Sequence, residues 1–363
     1  MNQYSRATQE QLESNDGSAR WLLGILIAVG VFFLVALVAG VTSLLSLQRT
    51  VPATQLVYSI QRSDSQPEFV TSEQMEVPLR RRMGELFGIG LEVNAVDDEQ
   101  IEIILPTRDP TQIKIAKDLL VSAGVLRFLP IANPTRHASV FELVQQTTNA
   151  PTPQRDVQDQ NGDVVGRWVT VGVEAEVTPS DQIAPLKVEL NSPFVRNSRT
   201  GEVISLPEQI LGQDSEGKIA QWIASQGIES IDVLAVVDRS QAVGGQDLSF
   251  AGATFDETGM PAVAFVFTDA GSKRMAALTT SNSPVGNRRT QLGVILDDQL
   301  LTAPNILSTI QREARITGNF TQSEVDSMVQ ILKAGQLPAK LNPTPVAESQ
   351  TTMSYSLLDS FMQ

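Results

Sequence analysis

Gly90-Leu-Glu-Val-Asn-Ala-Val96 and Ile101-Glu-Ile-Ile-Leu105 alternate apolar and polar residues on either side of Asp97-Asp98-Glu99, the pattern of two half-buried strands joined by a turn. Helical periods flank this hairpin. Upstream, Ser72 to Phe87 opens on Ser72-Glu73 and stops at Gly88. Downstream, Asp109-Pro110 starts a helix over Thr111 to Ser122, with Ile113, Ala116, Leu119 and Leu120 at helical spacing and Gly124 as its stop. Strand patterns close both ends, Gln55 to Ile60 and Val125 to Ile131. The order β-α-β-β-α-β is the split-βαβ, ferredoxin-like unit, which predicts an α+β base subdomain over residues 54–133. That fold hosts many unrelated functions and by itself names none.

Toward the N-terminus, Trp21 to Leu47 is a 27-residue run without a charge, closed by Arg20 and Arg49. It exceeds the roughly 20 residues that span a bilayer core. The apolar part of a cleaved signal peptide is only about 7–15 residues long. Residues 21–47 are therefore expected to be an uncleaved transmembrane anchor bounded by Trp21 and Leu47, after a short tail over 1–20. Arg6 and Arg20 on one side balance Arg49 and Arg62 on the other, so flanking charge does not orient it. Size places the tail inside and the large C-terminal body on the extracytoplasmic side of the inner membrane. Gly24-x-x-x-Ala28 and Ala36-x-x-x-Gly40 put pairs of small residues on one helix face, where a second membrane helix can approach.

The chain has 27 Lys and Arg against 41 Asp and Glu, a net of −14, which argues against a polyanionic partner such as nucleic acid. It has no cysteine, hence no disulfide, thiol nucleophile or thiolate metal site. His137 is the only histidine, and neither G-x-S-x-G nor H-E-x-x-H occurs. No catalytic, metal-binding or cofactor-binding residue is expected, and the chain reads as a non-enzyme. Asn133-Pro134-Thr135-Arg136-His137 is polar and turn-like, so His137 is expected in a solvated loop.

Gln145 to Gly162 is rich in Gln, Thr, Asn, Pro and Asp and reads as a linker, opening a β-rich insert assigned to residues 134–230. Within it Val164 to Val177 alternates as a strand, Pro193 to Leu206 forms a hairpin turning near Thr200-Gly201, and Asp214 to Gln226 is helical. Residues 231–340 form a further α+β region. Val263 to Phe267 is a strand, Thr268-Asp269 opens a helix, and Gln291 to Leu296 with Gln299 to Ala303 makes a hairpin turning at Asp297-Asp298. Ala314 to Gly318 is a short strand. Thr321 and Glu324 then form a capping box for a helix that ends at Gly335. Residues 341–363 remain as a tail.

Six segments of this last region, in register, resemble the first extracytoplasmic domain of the SecD family, an accessory of the Sec protein-export machinery. They are Pro261-Ala-Val-Ala-Phe-Val-Phe-Thr268, Asp269-Ala-Gly271, Leu292-Gly-Val-Ile-Leu-Asp297, Leu301-Thr-Ala-Pro304, Ile316-Thr-Gly-Asn-Phe320 and Leu332-Lys-Ala-Gly-Gln-Leu-Pro-Ala339. Leu79-Arg-Arg-Arg-Met-Gly-Glu-Leu-Phe-Gly-Ile89, Ile101-Glu-Ile-Ile-Leu-Pro106 and Asp109-Pro110 resemble that family's base subdomain. The resemblance implies a base near the membrane and a movable head that holds emerging polypeptide, with motion coupled to proton flow through further membrane helices. Three departures stand out. Only 22 residues follow Leu341, so no second span and no proton path are expected. Leu56-Val-Tyr-Ser-Ile-Gln61 replaces the family's Leu-Asp-Leu-Arg-Gly-Gly-like signature, and Asp297-Asp298 replaces the favoured Asp-Gly turn.

The implied partners are Sec translocon components or a SecD/SecF-type subunit, unfolded polypeptide, and the membrane through one helix, with no nucleic acid and no cofactor. A stand-alone envelope interaction module that kept the head fold without transport is the alternative. Phe265, Phe267 and Phe320 are the candidates to line a groove for unfolded chain, with burial in the core as the competing reading. Asp297-Asp298 is expected as a solvated turn, and Arg80-Arg81-Arg82 as a solvated, partly core-bordering face rather than a headgroup site.

Overall fold

The computed structural model describes residues 30–35, 48–61, 70–88, 90–147, 153–172, 185–211, 215–286 and 289–356. Residues 30–35 are helical with exposed side chains. The rest of the expected anchor, including Trp21 and Leu47, lies outside the described residues. Among those described, no helix is long and apolar enough to cross a membrane.

The base forms where the alternation places it. β1 (Gln48–Ser59), α1 (Ser72–Phe87), β2 (Glu92–Ala95), β3 (Gln100–Leu105) and α2 (Pro110–Val121) follow in order. β3 buries every second residue, Ile101, Ile103 and Leu105, against Leu79 and Met83 of α1 and Leu119 and Leu120 of α2. Asp109 caps α2 by accepting from the Thr111 and Gln112 amides, with Pro110 in the first turn.

β4 (Leu126–Pro130), expected as the fourth base strand, pairs instead with β13 (Leu292–Leu296) in a second, nine-stranded sheet. Four of its five residues are buried, so it needs cover on both faces, which a strand of the solvent-backed base sheet lacks. Phe128 settles the matter by packing edge-on against Phe265 and Phe267, at 5.8 and 5.7 Å between ring centres. The fourth base position is filled by β16 (Ala347–Ser356), which pairs antiparallel with β1 from Gln48↔Ser356 to Val57↔Ala347. The base sheet thus runs β16-β1-β3-β2, and everything between α2 and β16 is inserted into it. Residues 341–356 of the expected tail are accordingly part of the body, because Leu341 is buried and β16 belongs to the base.

The insert is more ordered than its composition suggests. The end of α3 (Ala138–Thr147) and the whole of β5 (Asp156–Gln158) fall in the stretch expected as a linker. β6 (Val164–Val171), the hairpin β7 (Phe194–Asn197) and β8 (Val203–Ser205), α4 (Ser215–Ser225), β9 (Ile231–Val236), β10 (Val243–Gly244) and the β13–β14 (Gln299–Thr302) hairpin complete the large sheet region. Beyond it, β11 (Leu248–Phe255), β12 (Pro261–Phe267) and β15 (Glu313–Ile316) form a three-stranded antiparallel sheet. α5 (Asp269–Ser281) and α6 (Gln322–Ala334) belong to the same region. Base residues Leu56, Ile103 and Leu120 and head residues Phe265, Met275 and Val329 share one unbroken apolar core.

Candidate functional site

Two features stand out: the joint between base and head, and the open face of the three-stranded sheet. At the joint, the C-termini of α2 and α6 converge on α1. A helix leaves its last carbonyls without intrahelical donors, and those ends carry partial negative charge. Arg82 of α1 supplies the donors. Its Nη1 donates to the Leu119 and Ser122 carbonyls, and its Nη2 to Ala123 and, at 2.7 Å, to Gly335. Arg81 donates to the Ala334 carbonyl, and the Leu337 amide donates to Ala123 at 2.8 Å.

The expected solvated arginine run is therefore corrected at Arg82, which is 1% exposed. Burial pulls its pKa down to about 10, with Asp297 as the opposing charge. Gly124 fits this seat twice over. Its φ is +76°, and a Cβ there would lie 2.6 Å from Arg82 Nη2 and 2.9 Å from the Gly335 carbonyl.

The Asp297-Asp298 turn is also corrected: it is a clamp, not a solvated tip. Asp297 accepts from the Ser122 hydroxyl and from the Gly124 and Val125 amides, tying the hairpin to the loop after α2. Asp298, 9% exposed, accepts from Arg167 Nε at 2.7 Å and Nη2 at 2.9 Å, and from Arg127 at 3.3 Å. Burial raises its pKa, but Arg167 and Arg127 outweigh this and hold the carboxyl below its ordinary value. Both aspartates have positive φ, +52° and +67°. That conformation costs roughly 1 kcal/mol per non-glycine residue, and these hydrogen bonds and ion pairs offset it. Beside the joint lies a cleft of about 560 Å³, walled by Val125, Leu126, Leu332 and the arginines 127, 167 and 239. Asp156, Asp298 and Asp163 take up that charge.

His137, expected in a solvated loop, is partly buried at the start of α3, where its Nδ1 accepts from the Asn133 amide at 3.0 Å. Burial and the adjacent Arg136 lower its pKa. Arg136 in turn donates to the Ser281 and Ser283 carbonyls at the end of α5.

The three aromatic candidates are corrected as well. Phe265 and Phe267 are 1% exposed and Phe320 is 5% exposed, all in the core, so none presents a surface to a passing chain. Alternation along β12 explains the first two, because Phe265, Ala251 and Ala314 are cross-strand neighbours on the face that packs inward and Phe267 lies two residues on. The opposite face carries the rows Phe250, Val266, Glu313 and Gly252, Ala264, Arg315. Phe250 is 55% exposed, and its ring lies over Gly252. A shallow hollow of about 750 Å³ opens there, bounded by Phe250, Ala264, Val266, Glu313, Arg315 and the Asp256-Glu257-Thr258 tip. Asp256 fixes that tip by accepting from the Thr258 hydroxyl and amide and the Met260 amide, bonds that hold its carboxyl below the ordinary range. β15 is an edge of this sheet.

Residues 223–339, which contain both this sheet and the α6 end of the joint, match the family model described as "SecDF, P1 head subdomain". This region is similar to a SecD-type head. Protein translocase subunit SecD of Rickettsia conorii is 38% identical over 107 residues, covering 29% of this chain and 20% of the relative. The SecD subunit of Acidaminococcus fermentans is 28% identical over 192 residues, covering 50% of this chain and 44% of the relative. The chain thus spans about a fifth to under half of the length of these relatives. A solved SecDF structure, described as a membrane component that enhances protein export, matches 81% of this chain and 98% of its own at 18% identity, with a TM-score of 0.45. SecDF in its super-membrane-facing form matches 83% of this chain at 16% identity, with a TM-score of 0.46.

The family match begins at Ile223, inside α4. Its recurring segments now have physical roles. In Thr268-Asp-Ala-Gly271, the Thr268 side chain accepts from the Gly271 amide. A Cβ on Gly271 would run into the Asp247 carbonyl, and the Thr268 amide donates to that same oxygen at 2.8 Å. In Leu332-Lys-Ala-Gly-Gln-Leu-Pro-Ala339, the Ala334 and Gly335 carbonyls and the Leu337 amide are the head's half of the joint. The sequence held a signal for this. Arg82 stands four residues before Leu86 and three after Leu79 on the apolar stripe of α1. A cation on that stripe has to find acceptors inside.

Proposed function

We propose that this chain is a membrane-anchored accessory of protein translocation, and that its head holds extended polypeptide on the open face of β11, β12 and β15. The observation that carries this reading is the coincidence of a SecD-type head over residues 223–339 with a half-exposed Phe250 beside a hollow floored by small residues. A small-residue floor lets an extended backbone approach closely. Phe250 and Val266 offer apolar surface without demanding one side-chain shape, while Glu313 and Arg315 border the hollow with both signs of charge. The β15 edge offers backbone groups that any sequence can meet. Such a site binds by backbone and general apolarity, as a handler of many clients requires.

Residues 21–47 supply the anchor in this reading and place the body on the extracytoplasmic side. The reaction class is binding, with no covalent step. The partners are Sec translocon components or a SecD/SecF-type subunit.

Mild-detergent affinity purification from the protein's own membranes, followed by mass spectrometry, tests this. Co-recovery of the Sec channel or a SecD/SecF-type subunit is the expected result. Recovery of only unrelated envelope proteins, from an extract in which Sec components are demonstrably present, contradicts it and favours a stand-alone envelope interaction module.

A further inference from the structure

We propose that Arg82 is a latch that sets the angle between base and head: its guanidinium, seated between the C-termini of α2 and α6, holds the two in one orientation and leaves the head free to turn when withdrawn. The inference concerns this chain's own joint and stands apart from what the head binds.

Several observations converge on it. Arg82 grows from a base helix, yet one of its four acceptors, Gly335, lies in the head and the other three lie in the base. It is the largest of the fully buried side chains among the described residues. No ion pair to it is found among those residues, so its hold on both sides is charge on carbonyl dipoles, with Asp297 as an opposing charge. Its Nε has no partner among the described residues. Such a contact is strong while the geometry is met and is lost as a unit when the carbonyls move apart, since a buried cation without acceptors is costly. The seat is shaped to the guanidinium, because Gly124 leaves no room for a side chain beside it. The other polar links at the joint, from Arg81 to Ala334, from Leu337 to Ala123 and from Ser122, Gly124 and Val125 to the Asp297 carboxylate, gather around the same point. The apolar core runs unbroken from base to head, so the head cannot lift off without exposing it. A turn about the joint would draw the Gly335 carbonyl away from the three base carbonyls, and the guanidinium seated on all four stands in its way.

The chain contains no cysteine, so spin labels go where they are placed. With Lys114→Cys on α2 and Lys273→Cys on α5, both exposed, pulsed electron paramagnetic resonance on the full chain in lipid nanodiscs reads the base-to-head distance. The parent is expected to give one narrow distribution. Arg82→Met, which keeps an apolar stem and loses every donor, is expected to broaden and shift it by several ångströms. Arg82→Lys, which reaches one helix end but not both, is expected to do the same and supplies the readout if Arg82→Met does not fold. Gly271→Ala, a packing fault within the head, serves as the control and is expected to leave the distribution narrow. The latch is overturned if the parent is already broad, if the folded Arg82 variants keep the parent distribution, or if Gly271→Ala broadens it as much.

Discussion

Asp298 shows how far one residue can depart from its sequence reading. Adjacent acids at a hairpin tip are ordinarily solvated, and nothing local to Asp297-Asp298 signals that Arg167, 131 residues earlier, lies across from it. The consequence is a pH dependence whose sign follows from the shift. The folded carboxyl titrates below its unfolded value of about 3.9, so its contribution is present above that value and is lost as pH falls through the folded pKa. Asp298→Asn is therefore expected to lower the melting temperature at pH 7 and to flatten the loss of stability below about pH 4. Melting curves of both proteins between neutral and acid pH check this, and parallel acid limbs would contradict it. His137 acts in the same direction at higher pH. Its depressed folded pKa means that stability is lost as pH falls below the unfolded value of about 6.5. Gly271 belongs to this scale too. Gly271→Ala forces a methyl against the Asp247 carbonyl, and we expect a loss of about 2 kcal/mol in denaturant unfolding, typical of overpacking against backbone.

At the scale of elements, the sequence was legible where a segment's own pattern decides its state. The 72–87 helix, the 92–105 hairpin, the Thr321–Glu324 capping box and the β7–β8 hairpin all rest on local chemistry, and each is found. Pairing was legible only where neighbours are adjacent in sequence. The base strand β16 is hard to read because Ala347-Glu-Ser-Gln-Thr-Thr-Met-Ser-Tyr-Ser looks polar throughout, and among its described side chains only Met353 is buried. β4 reads as a strand, but its own sequence does not say which sheet it joins, since only the distant Phe265 and Phe267 reveal where Phe128 is needed. The aromatic candidates failed for a related reason, as alternation tells which residues share a face but not which face is covered.

If β16 is a working base strand, its alternation has a measurable signature. Met353→Asp puts a charge at a 6% exposed position and is expected to cost about 3 kcal/mol or more. Thr352→Asp, on the exposed face, is expected to stay within about 0.5 kcal/mol. Chemical denaturation of the two variants checks this, and equal costs would mean that the strand is not paired as described.

The whole molecule is a base interrupted by everything between α2 and β16, with an apolar core shared between base and head. Its outward features therefore divide cleanly. The joint governs orientation, and the face bearing Phe250 meets what lies outside. The central claim is that this face receives polypeptide. Photo-crosslinking tests it most directly, with a benzoyl-phenylalanine placed at Phe250 in the head and, separately, at the exposed Val77 of α1 in the base, in the full chain in its own membranes during active export. The account predicts a ladder of adducts with exported polypeptides from position 250 and none above background from position 77. Equal labelling from both positions, or none from 250 while export proceeds, would contradict it.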